Sequence, residues 1–290
     1  MEYVKRIGLF LIVNFLIILV IGIILRILGI EGEGTTSLLV MSLLWGMGGS
    51  FISLLLSKWM AKRAYTIQMI DPASPGSGNG IYNMVKKLAD KNNLPMPEVG
   101  IYDSPEPNAF ATGATKKSSL VALSTGLINM MDDKQVEAVV GHEMAHIKNG
   151  DMVTLTLLTG IANSFVIFIS RIIVMFLGSA TRTQSSRNGL GGLAYPFIVT
   201  IIQVVLMLLA NIVLASFSRR REYRADEGSA KTTSPDAMAS ALAKLGGYSG
   251  QLDRKDSFAM AKIDWKKGLS LFRTHPTIED RIKRLKEMRF

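Results

Sequence analysis

The sequence predicts a mainly α membrane protein, with four transmembrane helices and a cytoplasmic α+β domain that carries a small sheet. Three observations lead there. Of the 290 residues, 48% are hydrophobic and only 19% are charged, whereas globular chains carry roughly 25% charge. Mean hydropathy is accordingly positive, at +0.28. The apolar residues are gathered into four blocks, about 7–25, 37–56, 155–177 and 193–217, each near or above the ~20 residues that cross a ~30 Å hydrocarbon core as a helix. Finally, the polar stretches between the blocks alternate short apolar runs with helical periodicity, the pattern of a mixed domain. A disordered or fibrous chain is excluded.

The first block follows Lys5 and Arg6 but is too long for a signal-peptide core, and the GIEGEG after it lacks a small-residue cleavage site, so it reads as a retained anchor. Lys58, Lys62 and Arg63 follow the second block, and Arg219, Arg220, Arg221 and Arg224 follow the fourth. By the positive-inside rule both termini and both long polar segments face the cytoplasm. Arg182 and Arg187 in the loop between blocks three and four are a modest contrary signal. The organisation expected is a transmembrane hairpin over 1–56, a first domain part over 57–153, a second hairpin over 154–217 and a second domain part over 218–290. The two polar parts are expected to fold as one unit. Arg171, inside block three, reads as a snorkelling side chain.

Within the first polar part, residues 71–80 (DPASPGSGNG) read as a loop without a nucleotide-binding frame. An amphipathic helix is expected around Ile81–Leu88, and strands at Glu98–Tyr102 and Leu120–Ser124. From Asp132 the pattern turns helical. Asp132 can cap, Gln135 sits at the third helical position, and Val136, Val139 and Val140 share a face. This helix should run to about Lys148 and end at Asn149-Gly150, where glycine suits a C-terminal cap.

On that helix lies His142-Glu143-Met144-Ala145-His146. Side chains at i and i+4 stand one above the other, so the two imidazoles can meet one metal ion. Glu143, rotated by ~100°, can reach a water without ligating the metal. Such a pentapeptide arises by chance in under roughly one chain of this length per hundred. Two histidines leave a zinc site incomplete, and a third protein ligand with an open position makes it catalytic. The chain has no cysteine and only one further histidine, His275, so the third ligand is His275 or a carboxylate. Glu222, just past block four in Arg221-Glu222-Tyr223-Arg224-Ala225-Asp226, is the strongest candidate. Its alternative is a solvated partner of the surrounding arginines. An antiparallel hairpin of blocks three and four would return Glu222 to the membrane surface that His146 left, which favours the ligand reading. Asp226, four residues on and on the same helical face, is placed to accept the second ring N–H of a ligating histidine.

The four spans, HEMAH before the third, EYRAD after the fourth and THP near the C-terminus resemble the HtpX family of membrane zinc endopeptidases, relatives of the type-one CAAX prenyl proteases. The likeness covers essentially the whole chain. It implies a zincin-like protease domain in which His142, His146 and Glu222 bind one zinc ion, Glu143 is catalytic, and Asp226 completes a Glu-x-x-x-Asp pattern. It also implies a bacterial inner-membrane protein acting in membrane-protein quality control under stress. Asn108, Ala109 and Phe110 resemble the family's Asn-Ala-Phe element beside the cleft. They can form an edge strand that pairs with an extended substrate, or a buried turn with Phe110 as core. His275-Pro276 with Arg281 resembles the family's C-terminal His-Pro motif, and His275 there can hydrogen-bond an oxyanion.

Expected partners are therefore unfolded polypeptides, membrane proteins and the lipid bilayer. The net charge of +10 fits membrane-flanking basic residues better than a nucleic-acid groove. Nothing in the sequence fixes an oligomeric state. A zinc transporter is disfavoured because the membrane blocks hold no acidic or imidazole path. An inactive zinc-stabilised scaffold has no need of Glu143, and a prenyl-peptide-specific protease would call for a larger membrane chamber.

Overall fold

A computed structural model describes residues 35–71, 73, 78–180, 194–255 and 273–288. The chain order is α1 (Thr35–Ala64), β1 (Gln68–Met69), α2 (Asn79–Lys91), β2 (Glu98–Tyr102), β3 (Ala109–Thr112), β4 (Leu120–Ser124), α3 (Thr125–Met130), α4 (Asp133–Asn149), α5 (Asp151–Ala180), α6 (Ala194–Thr232), α7 (Pro235–Lys255) and α8 (Ile278–Glu287). Among the described residues three helices are long and apolar enough to cross a membrane, Ser37–Ala64, Asp151–Leu177 and Pro196–Thr232, with mean hydropathy of 1.9, 2.0 and 2.7. They carry the second, third and fourth apolar blocks. The first expected span, 7–25, lies outside the described residues. The helices outrun their apolar blocks because a helix needs only propensity and hydrogen bonds to continue. The 39 residues of α6 extend about 58 Å, and its polar end carries Glu222 and Asp226.

The chain divides into two compact units, one drawn from 1–52 and 156–211, the other from 53–155 and 212–290. In the first, Leu39 of α1 packs with Phe168 and Ile172 of α5. Small residues let these helices approach closely: a Cβ built on Gly46 would lie 2.4 Å from Ser164 Oγ. Elsewhere large apolar side chains face outward, with Trp45 75% and Phe197 67% exposed, as lipid contact requires.

In the second unit the sheet order is β1-β2-β4-β3, with β2 and β4 parallel and both outer pairs antiparallel. The central strand β4 is buried at every position, as expected of a strand covered on both faces. The strands expected at Glu98–Tyr102 and Leu120–Ser124 are both present. Asn108-Ala109-Phe110 leads into an edge strand rather than a buried turn, because Phe110 and Thr112 register with Ala122 and Leu120. Val140 and Met144 of α4 are fully buried in one core with Val85 and Leu88 of α2 and with Val99, Val121 and Leu123 of the sheet.

Helix α4 starts with the expected capping box. Asp132 accepts from the Gln135 backbone N–H, and the Gln135 side chain accepts from that of Asp132. It ends at Gly150, which is left-handed at φ 65°, ψ 36°, a conformation costly for residues with a Cβ. The polar end of α6 lies against α4 through small residues. A Cβ on Gly228 would stand 2.6 Å from that of Ala145, and Ser229 Oγ donates to the Ala138 carbonyl at 2.6 Å. This close approach sets Glu222 and Asp226 beside the two histidines.

Candidate active site

His142 and His146 are 7% and 8% exposed, and Glu222 is 2% exposed. The histidine Nε2 atoms face each other at 3.1 Å, with ring planes at 89°. Oε2 of Glu222 lies 3.5 Å from His142 Nε2, and Oε1 lies 3.4 Å from His146 Nε2. One ligand atom from each residue falls within 4.8 Å of the others. Two imidazoles and a carboxylate converging on one point are the donor set of a catalytic zinc site.

The outer nitrogens make the fit more specific. His146 Nδ1 lies 2.7 Å from Asp151 Oδ2. His142 Nδ1 lies 2.9 Å from Asp226 Oδ1, close enough for a charged contact but oblique to the ring N–H. Each imidazole therefore has a carboxylate behind Nδ1, an arrangement that keeps the proton there and turns the Nε2 lone pair to the shared point. Burial opposes a charge on His142, but the carboxylates of Asp226, Glu222 and Glu143 outweigh it and push its pKa up to about 9. His146 is likewise raised, against burial, by Asp151 and Glu222. The pocket is thus rich in negative charge, which favours a divalent cation.

Glu143 borders this convergence without belonging to the converging trio. Its Oε2 accepts from the backbone N–H of Ala111 at 2.9 Å, so the carboxylate is held against the free edge of β3. The Asn108 carbonyl bonds the other way, to the N–H of Ser124. By strand alternation the polar groups of Ala109 and Ala111 face outward; the Ala111 N–H is held by Glu143, which leaves those of Ala109 and the Ala111 carbonyl to an extended chain.

The C-terminal segment closes the site. His275 Nδ1 lies 3.0 Å from Glu222 Oε2, and its side chain is 62% exposed. Thr277 caps α8, which brings Arg281 into a bidentate contact with Asp226 at 2.8 and 2.6 Å. Arg221 Nη2 lies 3.3 Å from Glu222 Oε1. Asn108, Ala109, Phe110, His142, Glu143, His146, Glu222, Asp226 and His275 lie together in this region. Sequence reasoning missed Asp151 and the charge role of Arg281. Asp151 follows the cap Gly150 and looks like an ordinary acidic helix start; its place five residues after His146 is the only available signal.

A buried histidine pair with a carboxylate from a second helix, beside a glutamate on a free strand edge, defines a metallopeptidase. The profile of peptidase family M48 matches residues 78–289. Protease HtpX of Tolumonas auensis is 44% identical over 292 residues, covering 98% of this chain and all of its own length. A homologue of that protease from Variovorax paradoxus is 46% identical, covering 98% of this chain and 100% of its own, and another from Bacillus licheniformis is 44% identical, covering 97% and 98%. The crystal structure of S. mikatae Ste24p shares the fold, with a TM-score of 0.60 at 16% identity over 91% of this chain and 66% of that one. The chain belongs to peptidase family M48 and, within it, to the HtpX proteases. It is a metalloprotease and an integral membrane protein.

Proposed function

We propose that the protein is a zinc endopeptidase that cleaves misfolded or damaged membrane proteins at the cytoplasmic face of a bacterial inner membrane, as part of quality control under stress. The convergence of His142, His146 and Glu222 beside Glu143 on a free strand edge carries this reading. The basic residues after the second and fourth apolar blocks support the orientation, and the relatives named as proteases support the reaction. The parts of the domain before and after the second hairpin, 57–153 and 218–290, act together, because each supplies part of the site.

His142, His146 and Glu222 would hold the ion, and Asp226 and Asp151 would keep the imidazoles oriented. A zinc ion there would supply Lewis acidity toward the scissile carbonyl and the attacking water. The substrate backbone pairs along the outward edge of β3 through Ala109, between Asn108 and Phe110, which fixes the scissile bond over Glu143. Glu143 takes a proton from the attacking water and returns it to the leaving amine. His275, at the mouth, donates to the developing oxyanion.

Incubating the purified protein with an unfolded polypeptide tests this reading. Cleavage should be abolished by a chelator, restored by zinc, and lost in Glu143→Gln. Chelator-resistant cleavage, or full activity in Glu143→Gln, would overturn it.

A further inference from the structure

Strand β3 borders the site, yet little holds it in place. It is four residues long, partly open at every position, and stands at the edge of the sheet beside β4. Toward α4 it offers the core only the methyl groups of Ala109 and Ala111. Phe110, its one large side chain, lies by alternation on the opposite face. Ala122 of β4, in register with Phe110 and with Gly100 of β2, shares that face. These small residues leave a trough, and the segment after α1 fills it. A Cβ built on Gly100 would lie 2.3 Å from Cγ2 of Ile67. The ring of Tyr65 stands 5.2 Å from that of Phe110 and 5.0 Å from that of Tyr102, tilted by 43° and 50°, within the range of attractive aromatic pairs. Phe110 and Tyr102 are 5.8 Å apart, so the three rings close a triangle.

Tyr65 is held there at a conformational cost. The Ile67 N–H donates to the Lys62 carbonyl at 3.2 Å, closing the end of α1, and Thr66 between has φ 47°. Glycine usually occupies this left-handed cap position, and a β-branched residue in it is strained. Such strain persists only where the surroundings over-determine it. Here Lys58 and Lys62, one turn apart on α1, grip Glu98 at the start of β2 at 3.0 and 2.5 Å, while Tyr65 and Ile67 dock on either side of Thr66. Tyr65 is nevertheless 48% exposed, so its ring buries little area as core. We propose that Tyr65 is a positioning residue of the peptidase, acting through Phe110 to set where strand β3 stands relative to Glu143. Phe110 lies between two working peptide groups. Ala109 offers its backbone to an extended chain, and the Ala111 N–H holds the Glu143 carboxylate at 2.9 Å. A tilt of Phe110 moves both together, and a misplacement of about 1 Å can cost about 10²-fold in rate. The inference rests on the hydrolytic reading above, in which β3 pairs with the substrate.

The test uses the full-length, zinc-loaded protein in detergent with an unfolded polypeptide as substrate. Tyr65→Phe keeps the ring and should cleave like wild type. Tyr65→Leu keeps apolar bulk without the ring and should lower kcat/KM by about 10–100-fold while retaining its zinc. In the Glu143→Gln background, where turnover is removed, Tyr65→Leu should also weaken substrate binding. Amide exchange reads the strand itself: β3 should exchange faster in Tyr65→Leu, while α2 and α4 keep their protection. A zinc-loaded Tyr65→Leu protein with wild-type cleavage and wild-type exchange in β3 would overturn the proposal. Loss of zinc with faster exchange through α2 and α4 would overturn it too, because Tyr65 would then be ordinary packing. Wild-type cleavage with β3 unmoved in Tyr65→Leu sinks the positioning role alone, whereas a wild-type protein that cleaves nothing sinks the hydrolytic reading and this inference with it.

Discussion

Asp226 faces two groups at once, and its removal should have two separable effects. Its carboxylate lies 2.9 Å from His142 Nδ1 and holds the guanidinium of Arg281 at 2.8 and 2.6 Å. Asp226 and Arg281 are 2% and 9% exposed. Breaking a buried pair by removing one partner costs about 3–5 kcal/mol, because the other charge stays buried without compensation. Losing the carboxylate behind a ligating imidazole typically costs about 10–100-fold in metal affinity. Asp226→Asn should therefore lower both unfolding stability and zinc affinity. Arg281→Met in the same chain should recover much of the stability, since an apolar side chain replaces the stranded cation, yet leave the zinc deficit in place. Denaturant unfolding of the chelated protein reads the first effect, and competition with a zinc chelator reads the second. If the double variant regains normal zinc affinity, or if Asp226→Asn alone leaves stability unchanged, the two-sided role of Asp226 is wrong.

Three further outcomes follow from the same geometry. Glu143→Gln should retain stoichiometric zinc by elemental analysis while cleavage falls by about 10²–10⁴-fold or more, the scale of a lost acid–base group; full turnover in the loaded variant would remove Glu143 from the chemistry. Asp151→Asn replaces the carboxylate 2.7 Å from His146 Nδ1 and should weaken zinc binding by about 10–100-fold, with less effect on stability than Asp226→Asn because its cationic neighbour Arg224 is exposed; unchanged affinity would return Asp151 to a helix-capping role. In the metal-free protein His142 has a pKa raised to about 9, so its charged contacts stabilise the fold fully below its unfolded pKa of ~6.5 and lose that contribution as pH rises through about 9. Zinc must displace this proton and the one that His146, also raised, carries, so apparent affinity should rise at least about tenfold per pH unit up to about pH 9; a flat affinity over the same range in chelator competition would contradict the raised pKa.

Local signals account for the parts of the fold that are legible in the sequence. Asp132, Gln135 and Gly150 mark both ends of α4 because caps are made by neighbouring residues. Strands β2 and β4 stand out as short apolar runs bounded by Pro, Asp or Lys. Strand β1 has two residues, Gln68 and Met69, both exposed, and no pattern announces it. His142 with His146, and Glu222 with Asp226, are visible as i and i+4 pairs, but their meeting depends on small residues such as Gly228 and Ala145, whose contact has no sequence period. Asp151 is hidden behind an ordinary role at a helix start. A recess of about 240 Å³ beside the histidines is illegible for a different reason: Leu127, Val139, Met238 and Leu242 each look like core, and only the packing of α3, α4 and α7 makes them line one space.

Zinc content measured beside proteolysis tests the shared site most directly. Wild-type protein purified in detergent should carry one zinc ion per chain, and Glu222→Ala should lose both the ion and the cleavage of an unfolded polypeptide, because two imidazoles alone make an incomplete site. A Glu222→Ala protein that keeps one zinc per chain and cleaves at the wild-type rate would contradict the account.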